Sequence, residues 1–298
     1  MTYVTGTALT LALLASLFLA ALHLGFRAPR MRERGTPADL GLAYEAVRIP
    51  TASGKQLFAW WLPVSAADTS IIILHGWGGN AELMLPMAQP FQQAGINVLL
   101  IDARNHGNSD ADTFSSLPRF AEDLDHAIDW LRQKHPVQSR RLALLGHSVG
   151  AGAALLSASR TRDITAVISI SAFAHPEWMM KRYLQRFHLP DLVVGLVLNY
   201  VQWIIGHRFS DIAPLSTVCR IDCPILLVHG RADTTVPVED ARAIAAGCPE
   251  SNITLLEIDE AEHDSVDKIE QHGFALVSFL QQQGFAGQTM RSCQHPRQ

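Results

Sequence analysis

The stretch from Arg141 to Leu156, RLALLGHSVGAGAALL, constrains the fold of this chain more than any other. Its apolar run 142–145 is typical of a buried strand, and the small residues after Gly150 are typical of a helix packed closely on a sheet. Gly146 and Gly150 lack a Cβ, so the chain can turn sharply between the two elements. Such a turn lifts the Ser148 hydroxyl out of the sheet, and we interpret this serine as a nucleophile. The alternative is that Ser148 only caps the helix.

Short apolar strands alternate with helices along most of the chain. Strands are predicted over 43–49, 57–62, 70–74, 98–101, 142–145, 164–170, 224–229 and 253–258, and helices over about 81–94, 117–134, 151–156, 238–246 and 266–282. The alternation predicts a mostly parallel, doubly wound sheet with right-handed crossovers. Ligands bind such sheets beyond the carboxyl ends of the strands. His75, Asp102 and Ser148 each follow a strand, so we expect them on that side.

Composition narrows the class of protein. The chain has 298 residues, of which 48% are hydrophobic and 17% charged, so it can bury a large core and is not disordered. The formal net charge of −4 gives no basic surface for nucleic acid. The four cysteines form no C-x-x-C pair, so no structural metal site is indicated. We expect reduced, partly buried thiols, which fit a reducing compartment.

Residues 7–26 form an uncharged apolar run that is long enough to cross roughly 30 Å of hydrocarbon as a helix. No lysine or arginine precedes this run, and four arginines follow it: Arg27, Arg30, Arg32 and Arg34. We therefore expect an uncleaved, single-pass membrane anchor with the rest of the chain on the cytoplasmic side. The alternative is a cleaved signal and an exported protein.

A second apolar region, about 173–214, interrupts the alternation of strands and helices. It is rich in Trp, Met, Leu and Val and predicts two or three inserted helices. We interpret it as a cap that faces substrate, and the alternative is a set of ordinary helices at the sheet edge. The predicted organisation is therefore an anchor and basic flank over 1–34, a folded domain over 35–283, and a polar tail over 284–298.

Two polar residues after later strands complete a pattern with the serine. Asp233 lies in His-Gly-Arg-Ala-Asp after one strand, and His263 follows the last strand in Glu-His. Ser…Asp…His is the chain order of the α/β-hydrolase triad. With His75-Gly-Trp-Gly-Gly79 and Asp102-Ala-Arg-Asn-His-Gly-Asn-Ser109, these motifs make the chain similar to α/β-hydrolase-fold serine hydrolases over roughly residues 43–283. The order of segments resembles the membrane-anchored subgroup with an esterase-like or serine aminopeptidase S33-like domain.

The resemblance implies a role for each of these residues. His263 would act as the base that takes the proton of Ser148, and Asp233 would orient the imidazole. The backbone N–H groups of Trp77 and Val149 would form the oxyanion hole. The resemblance implies no metal and no organic cofactor.

Other residues compete for the acid and base roles: Asp211, Asp222, His229 and His272. The two aspartates precede a strand instead of following it, one histidine falls within the last predicted helix, and the other precedes a structural glycine. We also expect Asp102 and Arg104 to stabilise their loop as a local ion pair.

Three functional hypotheses follow. The first is a membrane-anchored serine hydrolase that cleaves a carboxylic ester, thioester or amide through an acyl-Ser148 intermediate. An ester of an acyl lipid is favoured, because the predicted cap is apolar and the domain is tethered to a bilayer. The second is acyl transfer to another acceptor, or cleavage of a peptide N-terminus. The third is a catalytically silent binding protein of the same fold.

Overall fold

The computed structural model describes residues 9, 13, 16–20, 24–25, 27–250, 252–265 and 271–285. Within them one eight-stranded sheet has the order β1-β2-β4-β3-β5-β6-β7-β8. The strands are β1 Glu45–Pro50, β2 Gln56–Leu62, β3 Thr69–Leu74, β4 Asn97–Ile101, β5 Arg141–His147, β6 Ala166–Ile170, β7 Ile225–Gly230 and β8 Ile253–Ile258. The hairpin β1–β2 is antiparallel and joins β4 in an antiparallel pair, whereas every other pairing is parallel.

Helices cover both faces of this sheet. They are α1 Leu85–Gln93, α2 Leu117–Lys134, α3 Val149–Ala158, α4 Pro176–Gln185, α5 Asp191–Ile205, α6 Phe209–Ile212, α7 Pro214–Thr217, α8 Val238–Gly247 and α9 Gly273–Gln282. One apolar core lies between the sheet and a layer that includes α2, α3 and α5. A second core lies on the opposite face, under α1 and α9. The central strands are apolar at almost every position because both of their faces are buried.

The mostly parallel, doubly wound sheet predicted from the sequence is confirmed. The helix predicted over 117–134 has those same bounds in the structure, since Ser116 accepts a hydrogen bond from the Arg119 N–H at its start. The helix predicted over about 81–94 is divided into a 3₁₀ turn, Glu82–Met84, and α1. The last predicted helix is described only from Gly273, and residues 266–270 lie outside the described residues.

Four helices, α4 to α7, lie between β6 and β7 where the sequence predicts two or three. The two longer ones, α4 and α5, carry buried residues on one side only, which pack on the core: Leu184, Val197, Leu198 and Val201. Their remaining surface carries large apolar side chains that stay exposed, including Leu192 and Trp203. This segment therefore presents apolar surface to its surroundings.

The predicted anchor, residues 7–26, lies mostly outside the described residues. Across the parts of the chain that are described, none of the helices has the length and apolar character needed to cross a bilayer.

The prediction of reduced thiols is wrong for two of the cysteines. Cys219 and Cys248 form a disulfide, with a Cα–Cα distance of 5.4 Å. The sequence did not reveal it because the two residues are 29 positions apart and meet only when the end of α8 packs beside the turn before β7. Cys223 is a free, half-buried thiol, and burial raises the pKa of this thiol to about 11.

Candidate active site

The turn between β5 and α3 places Ser148 in a strained backbone conformation. Its φ is 54° and its ψ is −116°, a region that L-residues rarely adopt. The turn is possible because Gly146 packs on the carbonyl of Gly150, and Gly150 packs on the carbonyl of His75, with no room for a Cβ at either glycine. The strand–turn–helix arrangement predicted from the sequence is present, and the serine stands at its apex.

Ser148, His263 and Asp233 lie in one chain of hydrogen bonds. The Ser148 Oγ is 2.9 Å from the Nε2 of His263. The Nδ1 of the same imidazole is 2.7 Å from the Oδ2 of Asp233. With the proton on Nδ1, the imidazole donates to the aspartate and accepts from the serine hydroxyl, which is the arrangement a general base needs. The structure thus brings together the three residues that the sequence pattern singled out.

The Asp233 carboxylate is held by more than the imidazole. Its Oδ1 accepts hydrogen bonds from the backbone N–H groups of Thr235 and Val236, at 2.9 and 2.8 Å. Burial alone would raise the pKa of Asp233, but hydrogen bonds from His229, His263 and the Val236 N–H outweigh it and hold the pKa well below its usual range. Asp233 is therefore a permanent anion at neutral pH and can stabilise a positively charged imidazole beside it.

His229 contributes to the site in a way that the sequence analysis missed. It is fully buried at the end of β7, with its Nε2 2.8 Å from the carbonyl oxygen of Val236 and 3.4 Å from the Asp233 Oδ2. From the sequence alone, His229 stands only as a rival base. Its position four residues before Asp233 was the available signal, but the contact depends on the turn that follows β7.

His147, the residue before the nucleophile, supports the base through its backbone. Its Nε2 lies 2.8 Å from the carbonyl oxygen of His263. Burial, followed by the nearby His263, lowers the pKa of His147, so the ring is neutral and can donate one N–H to this carbonyl. The contact joins the turn after β5 to the loop after β8 and fixes the distance between serine and base.

The loop after β3 lies directly against the nucleophile. A Cβ placed on Gly76 would be 3.0 Å from the His147 Nδ1 and 3.2 Å from the Ser148 Cβ, so a side chain there would press on the turn that carries the serine. Trp77 follows at once, and Val149 begins α3, whose N-terminus carries the positive end of the helix dipole. Both predicted oxyanion donors thus belong to segments that border the serine hydroxyl, and their N–H roles stay a prediction.

The side chain of His75 holds the loop after β3 in place. The Nδ1 of His75 is 2.7 Å from the Gly76 carbonyl, and the backbone N–H of Ala103 donates to its Nε2 at 3.1 Å. Burial, with a smaller contribution from His106, lowers the pKa of His75 to about 3. The ring therefore acts as a neutral bridge between the loops that follow β3 and β4.

The expected ion pair between Asp102 and Arg104 is wrong. The Arg104 guanidinium pairs with Asp123 at 2.7 Å, as well as with Asp112 and Glu122. Asp102 instead accepts hydrogen bonds from backbone N–H groups of residues 81 and 108, both at 2.8 Å. Arg104 lies in the turn that follows β4, and α2 supplies its acidic partners Glu122 and Asp123, which sequence proximity does not reveal.

A cavity of about 980 Å³ opens beside Ser148 and His263. It is bordered mainly by apolar side chains from α4, α5, the loop after β3 and the N-terminal segment. Six of these side chains both line the cavity and are at least 41% exposed, and we call them the rim: Phe18, Met31, Trp77, Leu83, Tyr183 and Phe187. The site is therefore an apolar chamber with an apolar mouth, suited to a hydrophobic ligand.

One group of possible metal ligands occurs in the described part of the chain: His147, His263 and Asp264. Both ring nitrogens of His263 are engaged, one by Asp233 and the other by Ser148. The arrangement fits proton transfer and does not fit a resident metal.

The chain is similar to a family model, to curated proteins and to solved structures. A family model described as serine aminopeptidase, S33 matches residues 65–217. An uncharacterized membrane protein of Saccharomyces cerevisiae, YNL320W, is 25% identical over 253 residues, which are 84% of each chain. The polyketide transferase af380 of Aspergillus fumigatus is 30% identical over 140 residues, 46% of this chain and 48% of that protein. The Pyrococcus furiosus esterase Pf2001 is 27% identical, with a TM-score of 0.71 over 86% of this chain and 98% of the esterase.

Proposed function

The chain belongs to the serine aminopeptidase S33 family, and from this premise we propose that it is a serine hydrolase that cleaves carboxylic esters. Its sheet and its likeness to solved structures establish the α/β-hydrolase fold. The observation that carries the proposal is the unbroken chain of hydrogen bonds from Ser148 through His263 to Asp233. A scaffold or binding protein would have no need of a hydroxyl, an imidazole and a buried carboxylate in this order.

The geometry supports a two-step reaction. His263 takes the Ser148 proton while Oγ attacks the substrate carbonyl, and the imidazolium is stabilised by the Asp233 carboxylate. The imidazolium then protonates the leaving alcohol, which departs and leaves an acyl-serine ester. In the second step water is deprotonated by the same imidazole and attacks the acyl group. Oγ leaves, recovers the proton and releases the carboxylic acid.

The tetrahedral intermediates of both steps carry a negative oxygen beside Ser148. We assign the backbone N–H groups of Trp77 and Val149 as its donors, supported by the contact between Gly76 and the serine and by the start of α3 at Val149. Loss of one preorganised donor costs roughly 10²–10³ in rate in other serine hydrolases.

An ester of an acyl lipid is the proposed substrate. The apolar lining of the cavity supports it, because an acyl chain gains about 0.8 kcal/mol per buried methylene. The exposed apolar rim supports it as well, since exposed apolar surface at a cavity mouth is suited to a partner as apolar as a bilayer.

We further propose that residues 7–26 anchor the protein in a membrane. Their length and apolar composition support an anchor, and the yeast relative is named as a membrane protein. The four arginines that follow support placement of the catalytic domain on the cytoplasmic side.

Labelling with a fluorophosphonate probe tests the nucleophile in the detergent-solubilised full chain. Wild type should be labelled at Ser148. Ser148→Ala should not be labelled, and its rate of ester hydrolysis should fall by at least about 10³-fold. Ser159→Ala, a second serine close in sequence near the end of α3, is the matched control and should behave as wild type. Absence of labelling in folded wild type contradicts the hydrolase proposal and favours a binding role.

The chain-length profile tests the substrate class. With p-nitrophenyl esters of increasing acyl length, kcat/KM should rise from acetate to medium chains, because each methylene enters an apolar cavity. A profile that peaks at acetate would contradict the acyl-lipid proposal and leave the ester hydrolase proposal standing.

Acyl transfer is the second candidate function, and the likeness to a protein named as a polyketide transferase favours it. Both activities share the acyl-serine intermediate and differ in the acceptor that attacks it. Hydrolysis in the presence of added alcohols separates them, because a transferase forms mainly the new ester whereas a hydrolase forms mainly the acid. Aminoacyl p-nitroanilides are the substrates of the corresponding assay for aminopeptidase activity.

A further inference from the structure

The segment that follows the predicted anchor lies across the active site. We call residues 27–36 the strap. Met31 lines the cavity, and the residues on either side of it touch the loops that follow β3 and β4. Among the described residues, no hydrogen bond joins this segment to Ser148, His263 or Asp233, and the reaction as proposed assigns it no step.

Three contacts attach the strap to the loop that carries Trp77. The Pro29 ring packs on Gly78, with its Cγ 3.2 Å from the position of a Cβ on that glycine. The Asn80 amide nitrogen donates to the Met31 carbonyl at 3.1 Å. Just after the loop, the Glu82 carboxylate accepts the backbone N–H groups of residues 34 and 35 at 2.7 and 3.0 Å. Trp77 is therefore followed within five residues by three separate points of attachment.

A second set of contacts joins the strap to the loop after β4. The Arg30 Nε donates to the carbonyl of Asn105 at 3.1 Å. The Glu33 carboxylate accepts from the side-chain amide of Asn108 and faces the carboxyl of Asp102. Asp102 in turn accepts the backbone N–H of Ala81. The strap thus contacts the loops after β3 and β4, and Asp102 links the loop after β4 to the end of the loop after β3.

The loop after β3 needs such support. Gly78 has a φ of +72°, a conformation that glycine adopts at little cost and also leaves easily. The indole of Trp77 is 41% exposed, so the side chain does not hold the loop in the core. An oxyanion donor contributes to rate only if it is held in place before the reaction begins, and a displacement of about 1 Å can cost 10²-fold.

We propose that the strap is a positioning element of the active site, which holds the Trp77 N–H in register with Ser148 through Asn80 and Glu82. The proposal rests on the proposed hydrolase function for its kinetic consequence. The attachment of the strap to the loop does not depend on that function. The segment between anchor and domain is then part of the active site and not a passive linker.

Two variants release the strap in different ways. Asn80→Asp is isosteric: it retains the oxygen that accepts the Leu83 N–H, and it replaces the donor to Met31 with an oxygen that repels that carbonyl. Glu82→Ala removes the acceptor of two strap N–H groups at a half-buried position. Glu239→Ala, in α8 and 69% exposed, is the matched control.

The first measurement is steady-state hydrolysis by the full chain in detergent. Both strap variants should lower kcat by about ten- to a hundredfold with little change in KM for a short ester, because a misplaced oxyanion donor affects the transition state and not ground-state binding. The rate of fluorophosphonate labelling should fall in parallel. The control should match wild type in both assays.

The second measurement is limited trypsinolysis, which needs no activity. The strap contains four exposed arginines, and we expect cleavage to speed up when the strap detaches, because a protease acts on locally opened chain. Cleavage between residues 27 and 35 should be slow in wild type and in Glu239→Ala, and several-fold faster in both strap variants.

The outcomes are distinguishable. Faster cleavage with unchanged kcat in both variants overturns the positioning role, and unchanged cleavage overturns the attachment itself. An inactive wild type, with strap cleavage that responds to the variants, contradicts the hydrolase proposal and retains the attachment.

Discussion

At the scale of single residues, the site depends on positions where a single added carbon cannot be accommodated. Ser148 holds a strained conformation because its neighbours are packed backbone against backbone, with Gly150 on the carbonyl of His75. By contrast Gly195, in the middle of α5, has open space where a Cβ would stand. A methyl group added to Gly150 would therefore clash with backbone, whereas one added to Gly195 would fit.

We expect Gly150→Ala to destabilise the protein by several kcal/mol and to abolish labelling of Ser148, because the new Cβ forces backbone apart. Gly195→Ala should instead raise the free energy of unfolding by roughly 0.5–1 kcal/mol, as alanine is the better helix former. Urea denaturation followed by circular dichroism measures both. Equal effects of the two substitutions would contradict the packing described for the turn.

The facing carboxyls of Glu33 and Asp102 give stability a defined dependence on pH. Burial and then the Glu33 carboxyl raise the pKa of Asp102 well above its usual value. The folded protein keeps a proton there at pH values where the unfolded chain has lost it, so the free energy of unfolding falls as pH rises through that range. Glu33→Gln removes one carboxyl and should make this fall smaller.

Calorimetry at two pH values checks the sign. The melting temperatures of Glu33→Gln and wild type should agree near about pH 4, and the variant should melt a few degrees higher near about pH 8. Glu239→Gln, an exposed acid far from the strap, should show no such dependence. A constant difference at both pH values would mean that the two carboxyls do not share a proton.

Sequence reasoning located the serine, the aspartate and the histidine because each follows a strand, and strand ends are visible as the ends of apolar runs. It did not find several contacts around the site. The contact of His229 with Asp233 depends on the turn after β7, whereas the Arg104–Asp123 and Glu33–Asp102 pairs join residues from different elements. Such contacts depend on how elements pack, which a local pattern does not encode.

At the scale of elements, an ion pair adds to the apolar packing that attaches the cap region to the core. Arg182 of α4 makes two hydrogen bonds to Asp240 of α8, at 2.8 and 2.6 Å, and the same carboxylate accepts the N–H of Ala174 at 2.9 Å. The Asp240 side chain is 5% exposed, so this pair is screened little by solvent. Because α4 lines the cavity, the contact also fixes one wall of the binding site.

Asp240→Asn should lower the free energy of unfolding by about 1–3 kcal/mol, since hydrogen bonds to a charged group are lost and an amide faces the guanidinium. It should also raise KM for long-chain esters more than for acetate, because the α4 wall loosens. Glu177→Gln breaks the exposed pair with Lys181 and should cost less than about 0.5 kcal/mol. Equal costs in chemical denaturation would refute the distinction.

Strands were easier to predict than the cap. Each of the eight predicted strands is present, with ends that differ by at most a few residues, because apolar runs bounded by turn residues are explicit in the sequence. Four helices lie between β6 and β7, the last of them extending past residue 214, and the sequence leaves their packing open between a cap and an edge layer. An apolar surface that borders a cavity and one that packs on a sheet have the same composition, so periodicity does not separate them.

At the scale of the whole molecule, two features point to opposite sides of a membrane. The arginines after residue 26 favour the cytoplasm, whereas the bond between Cys219 and Cys248 is typical of an oxidising compartment. Cys223 does not compete for exchange, since its raised pKa keeps the thiol protonated.

In purified protein we expect Cys219 to be linked to Cys248 in non-reducing peptide maps, and reduction to lower the free energy of unfolding by roughly 3 kcal/mol. Cys223→Ala serves as the control and should leave the map unchanged. Alkylation of intact cells then reports the compartment. Thiols that react support cytoplasmic placement, and a pair that is protected until reduction contradicts it.

The strap also has a practical consequence for how the protein is produced. Shortening the chain to obtain a freely soluble catalyst is an obvious step, and the visible boundary of the folded domain is the 3₁₀ turn that begins at Pro37. A cut there would remove Pro29, Met31 and both N–H groups bound by Glu82. A truncation intended to keep turnover should begin no later than residue 27, and one that begins at 37 should yield a soluble but slow catalyst.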